Sequence, residues 1–307
     1  MLTSAFYQGS TNRINLISAF LVYWTAEICS AHVVFPHWWD ALPIYTGQKK
    51  QIQQRKIVGA KLQKKDKMGV IKAAAGDAIL TSVWVFCAPS MGVFTSIIAS
   101  FLGIQARSLS GLFITTIIST VLILTISLIG KLLGGASFNP STTASFYTAG
   151  LNPGTSLLSM AVRFPAQAAG GVGGAKAILQ VMPKKYKHML RGPSLKVDLY
   201  TGIMAEGVMT CLLCFALLVI MLRGPRNPIV KIWMLSIVTI GLVVAGNGYT
   251  GPSMNPANAF GWAYVNNWHN SWELFLVYWI GPFVGATVAA LAFRVLFPPP
   301  VPKEKKA

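Results

Sequence analysis

The run SGLFITTIISTVLILTISLIG, Ser110 to Gly130, carries no charged residue over a length that crosses a bilayer. Such a segment has few stable fates. In hydrocarbon every backbone N–H and C=O must be bonded inside the protein, so only helices and closed barrels span. Five further stretches repeat the pattern with at most two charges each: residues 71–103, 156–179, 202–222, 229–249 and 272–293. The weakest is 156–179, which holds Arg163 and Lys176. Six helical spans follow, and with them an all-α, multi-pass membrane protein surrounded by lipid.

Composition agrees. Only 11% of the 307 residues are charged, against about 25% in soluble domains. The net charge of +18 raises the question of nucleic acid, but the basic residues gather in loops and tails between the spans. That placement is the mark of membrane orientation, and it excludes a nucleic-acid partner. The basic stretch Lys49–Lys67 and the tail lysines put both ends of the core in the cytosol. The basic loop Pro183–Lys196 falls on the opposite side and conflicts with the same rule.

Two short, weakly apolar segments interrupt the spans: GGASFNPSTTASFYTAG from Gly134 and GPSMNPANAFGWAY from Gly251. Each carries the same helix-start signal, Asn139-Pro140-Ser141 and Asn255-Pro256-Ala257. Asn is a strong N-cap, and Pro suits the first helical position. About ten residues follow each Asn, or ~15 Å of helix, half of a ~30 Å hydrocarbon core. Both segments therefore fit re-entrant half-helices. The chain also divides into two halves, each with three spans and one Asn-Pro segment, which forces opposite orientations. The half-helices then enter from opposite faces and meet near the midplane. A capping Asn uses its carbonyl oxygen, so each amide NH₂ is expected to stay free for the pore. Positive helix ends and amide donors there orient water and oppose cations.

With these residues in place, the core resembles the aquaporin (major intrinsic protein) family, most closely the first subgroup of the plant small basic intrinsic proteins. The strings AAAGDAILTSVWVFC, GPSLKVDLYTGIMAEG and YWIGPFVGATVAA support the likeness beside the two motifs. The resemblance implies an inverted repeat of six transmembrane helices plus two half-helices, with one pore per subunit and homotetramers. It implies passive conduction of water, with other small neutral solutes open. It places the selectivity filter at Val243, Pro252 and Asn258, with a helix-two position near Ser119, Thr120 and Val121. In that family Arg usually stands where this chain has Asn258, and His where it has Val243. The loss of charge and of a strong donor makes the filter atypical. Ser141 replaces the usual Ala of the first motif.

Asp77 and Glu206 stand at equivalent places, one per half. Their expected work is to accept hydrogen bonds from loop N–H groups behind each half-helix, with Gln167 sharing it. Gly170 with Gly174, and Gly281 with Gly285, are expected to permit close helix packing. Cys211 and Cys214 form a C-x-x-C inside a span, read as small core residues. His188 reads as a solvated loop histidine. No nucleophile–base pair or metal-ligand set stands out, so neither enzyme activity nor a metal or cofactor is expected.

The expected organisation is an N-terminal extension over 1–67, a channel domain over 68–298 and a basic cytosolic tail over 299–307. In that tail Lys303 and Lys305 match a dilysine retrieval signal, which points to the endoplasmic reticulum membrane. Two rival readings remain: a non-conducting structural or interaction protein of that membrane, and a coupled secondary transporter. The transporter would require ion-binding side chains at the midplane, where the motifs offer amides.

Overall fold

The computed structural model describes residues 67–151 and 155–298. Residues 1–66 of the expected extension and the tail with Lys303 and Lys305 lie outside the described residues. Among the described residues every regular element is helical. The first half comprises α1 (Lys67–Cys87), α2 (Ser90–Phe101), α3 (Leu109–Leu132), α4 (Pro140–Thr148) and α5 (Leu157–Val181). A short α6 (Lys184–Lys187) leads into α7 (Leu199–Arg223), α8 (Pro228–Gly246) and α9 (Pro256–Val265). The chain closes with α10 (Trp272–Phe275), one π-helical turn (Leu276–Ile280) and α11 (Gly281–Leu296). The described residues within 72–151 and 162–298 belong to one compact body.

Five of these stretches are long and apolar enough to cross a membrane: Gly69–Phe101, Leu109–Leu132, Leu199–Arg223, Pro228–Gly246 and Trp272–Leu296. The sixth expected span is a helix of sufficient length, 25 residues in α5. Its Arg163 and Lys176 and its run of Gly and Ala leave it less apolar than the others. The first span differs from a plain helix. It is interrupted between α1 and α2, where Pro89 has no N–H to continue the ladder. A second irregularity precedes Pro282, where the Gly281 N–H reaches back to the Leu276 carbonyl in a π-type bond.

Burial is arranged for lipid. Asp77, Gln167, Glu206 and Thr210 are fully buried, whereas Phe113, Ile117, Leu128, Met204 and Leu212 face outward. Helices in hydrocarbon gain little by hiding apolar side chains, so close packing and polar contacts hold them together. The glycines show how close the packing is. A Cβ on Gly170 would lie 2.1 Å from the Ala78 carbonyl oxygen, and one on Gly285 would lie 2.0 Å from that of Gly207. Ala78 and Gly207 directly follow Asp77 and Glu206. The same glycine-tight crossing therefore recurs in both halves, α5 on α1 and α11 on α7, with a carboxylate beside each.

Candidate functional site

Both half-helices begin as their sequence predicts. Asn139 takes an extended conformation, and its Oδ1 accepts from the Ser141 N–H at 2.9 Å, with Pro140 at the first helical position. Asn255 does the same for α9, accepting from the Ala257 N–H at 3.1 Å. The half-helices run for 9 and 10 residues.

The amides are not free, which corrects the expectation drawn from the capping role. Asn139 Nδ2 donates to the Met254 carbonyl at 2.9 Å, and Asn255 Nδ2 donates to the Phe138 carbonyl at 3.0 Å. Each Asn thus binds the residue just before the other, and the two N-termini are clasped face to face. An amide carries two N–H groups. One on each Asn makes the clasp, and the second takes no part in it. Neither side chain is open to bulk solvent, with Asn139 5% and Asn255 3% exposed.

Met254 is fixed on both sides. Its φ of 50° lies in the left-handed region, which a non-glycine side chain enters at a cost. Its N–H donates to Glu206 Oε2 at 3.0 Å while its carbonyl accepts from Asn139. Nothing in the sequence marks this residue. Glu206 also accepts from the Ser253 N–H at 2.7 Å and from the Thr250 hydroxyl at 3.2 Å. The Thr250 carbonyl accepts in turn from the Tyr278 hydroxyl at 2.8 Å. A buried carboxylate meeting donors on every side is tolerated because its lone pairs are satisfied.

In the first half Asp77 Oδ1 accepts from the Ser137 N–H at 2.8 Å, and Gln167 Nε2 donates to Oδ2 at 2.7 Å. Sequence reasoning missed its main partner. Arg163 makes a bidentate pair with Asp77, Nε to Oδ2 at 2.7 Å and Nη2 to Oδ1 at 2.8 Å. The signal was present as a single Arg in one apolar span and a single Asp in another. Intramembrane charges almost always pair.

The second half-helix is seated by glycine on glycine. A Cβ on Gly261 would lie 2.5 Å from the Gly171 backbone, and one on Gly171 would lie 2.3 Å from the Ala257 carbonyl oxygen. At the first motif Ser141 is fully buried, and its hydroxyl has no hydrogen-bond partner among the described residues.

Beyond the clasp opens a cavity of about 810 Å³. Val243, Pro252 and Asn258 all line it, so those three sequence-predicted residues share one cavity. None of Ser119, Thr120 and Val121 does. Ser119 is buried and Val121 is 59% exposed on the outward stripe with Phe113 and Ile117, so Val121 does not fit the helix-two position. Asn258 is held by its own loop: its Nδ2 donates to the Ser253 hydroxyl at 3.0 Å, which donates to the Asn255 carbonyl at 2.7 Å. Arg107, His188, Arg191 and Lys196 line the same cavity. The loop bearing the last three is tied down by the Ser194 N–H to the Thr250 carbonyl at 2.9 Å and the Lys196 N–H to the Tyr249 carbonyl at 2.8 Å.

The Major intrinsic protein family matches residues 64–293, most of the chain. This chain is a major intrinsic protein. Among curated relatives, Aquaporin SIP1-1 of Oryza sativa subsp. japonica is 56% identical over 240 residues, covering 78% of this chain and 98% of the relative. Aquaporin SIP1-1 of Arabidopsis thaliana is 49% identical over 239 residues, with the same coverage of 78% and 98%. Among solved structures, the aquaglyceroporin from Plasmodium falciparum superposes with a TM-score of 0.55 at 16% identity, covering 75% of this chain and 98% of that one. That likeness carries the fold. As a major intrinsic protein the chain is a multi-pass membrane channel of the aquaporin family, and the family are transporters and not enzymes.

Proposed function

We propose that this channel conducts water passively, with small neutral solutes as further candidates for the same path. The observation that carries the reading is the reciprocal clasp of Asn139 and Asn255. It fixes two helix N-termini against each other and leaves one amide N–H per Asn for a water oxygen. A water turned oxygen-first at that point donates nothing inward, and the positive helix ends raise a barrier to cations.

Val243, Pro252 and Asn258 form the filter wall in this reading. Their common cavity supports it. Val243 makes one side apolar, and Asn258, engaged with Ser253, brings no charge. Such a wall discriminates by size more than by hydrogen bonding, which is why neutral solutes stay in the proposal. The channel domain is taken as residues 68–298, the assembly as a homotetramer and the location as the endoplasmic reticulum, through Lys303 and Lys305.

A blocking substitution tests the path. Val243→Trp places an indole on the cavity wall and should bring water flux in proteoliposomes down to that of empty vesicles. Unchanged flux with folded protein would take Val243 off the path.

A further inference from the structure

The filter position usually occupied by Arg in this family is neutral here, yet the cavity beside it is not. Arg107, Arg191 and Lys196 all line the cavity that Asn258 lines, and His188 joins them. No carboxylate among the described residues lines it. The described carboxylates are committed or lie elsewhere. Asp77 pairs with Arg163, Glu206 binds the loop of the second motif, and Asp198 caps α7 through the Thr201 N–H at 3.0 Å. Glu273 lies on α10, off the cavity wall. Among the described residues the Arg163–Asp77 contact is the one ion pair, so no described carboxylate neutralises the cavity cations. Lys196 is anchored in place by Asn247, with its Nζ bonded to that residue's carbonyl.

We infer that Arg107, Arg191 and Lys196 make the vestibule an electrostatic barrier to cations, in series with the one at the helix N-termini and acting in place of a charged residue at the filter. The inference rests on reading the chain as a conducting pore. A cleft lined by one sign of charge and backed by low-dielectric walls concentrates the potential and changes local ion concentration by tenfold or more. A barrier built this way differs from one built at a constriction. A charge in a narrow, dry filter acts at contact and is little affected by salt. Charges around a wet vestibule are screened, with a Debye length of about 30 Å at 0.01 M and about 8 Å at 0.15 M. Cation exclusion by this channel is therefore salt-dependent, and water, being neutral, passes at a rate that salt does not change. Two residues of the barrier come from the loop after α6 and one from the loop before α3, so the barrier depends on those loops staying docked.

The test uses the full chain in phosphatidylcholine proteoliposomes, with water flux and potassium flux measured on the same preparation at 0.01 M and 0.15 M salt. Wild type should pass water, exclude potassium at low salt and leak several-fold more per unit concentration at the higher salt. Arg107→Gln/Arg191→Gln should raise potassium flux at low salt by about tenfold, abolish most of the salt dependence and leave water flux within about twofold. Arg107→Glu/Arg191→Glu should exceed the Gln pair, and Arg107→Lys/Arg191→Lys should behave as wild type. Potassium flux that ignores charge at these positions, with water flux intact, overturns the inference alone. Wild-type water flux equal to that of empty vesicles overturns the conducting reading and the inference together.

Discussion

Arg163 holds Asp77 through two parallel hydrogen bonds, with both side chains buried inside one half of the channel. Arg163 and Tyr278 stand the same distance before Gly170 and Gly285, the glycines of the two matching helix crossings. Where the first half answers its carboxylate with a guanidinium, the second answers Glu206 with backbone N–H groups and a Thr250 hydroxyl that Tyr278 helps to hold. The repeat keeps the task and changes the chemistry.

Removing one partner of a buried pair strands the other charge. Arg163→Met should destabilise the protein by about 3–5 kcal/mol, read as a lower unfolding temperature in detergent. Asp77→Asn in the same chain should restore a large part of that loss, since no charge is then left unpaired. Equal and additive effects of the two substitutions would show that the pair is not coupled.

Gly171 and Gly261 touch backbone to backbone, so a methyl group at either has no room. Gly261→Ala should cost about 1–3 kcal/mol and lower water flux by displacing α9. Gly241→Ala is the control, because nothing lies within 4 Å of its Cβ position. It should be neutral or stabilising by about 0.5–1 kcal/mol, since Ala favours helix over Gly. Thermal unfolding of the two variants side by side checks the contrast.

Ser141 buries a hydroxyl that meets no acceptor or donor among the described residues. Ser141→Ala should therefore leave stability unchanged or raise it by about 1 kcal/mol. A clear loss of stability would reveal a bond that the hydroxyl does make.

Asn258 braces Ser253 and lines the cavity at once. Asn258→Ala should cost about 0.5–1.5 kcal/mol and preserve water flux. Asn258→Arg should narrow the filter and reduce the entry of any solute larger than water, measured by glycerol or urea swelling. Unchanged solute entry would place Asn258 away from the constriction.

The legible parts of this molecule were those written in local sequence. Asn139-Pro140 and Asn255-Pro256 carry their own capping chemistry, and a carboxylate in an apolar span announces a buried partner. The partners themselves were not legible. Arg163 reads as a flaw in a weak span until α5 packs on α1 through Gly170 and Gly174, which brings it to Asp77. The wholly free amides expected of the capping residues were corrected for the same reason. Local geometry says what an Asn oxygen does, but only the meeting of two distant loops decides where its nitrogen points. Met254 left no trace, because its left-handed turn is imposed by bonds to Glu206 and Asn139 and not by its own side chain.

Osmotic water permeability of proteoliposomes, followed by stopped-flow light scattering, tests the central claim most directly. A pore held open by the Asn139–Asn255 clasp predicts wild-type vesicles that shrink well above the rate of empty ones, and Asn139→Ala/Asn255→Ala vesicles that lose most of that excess. Correctly inserted wild-type protein with permeability no higher than lipid alone would contradict it.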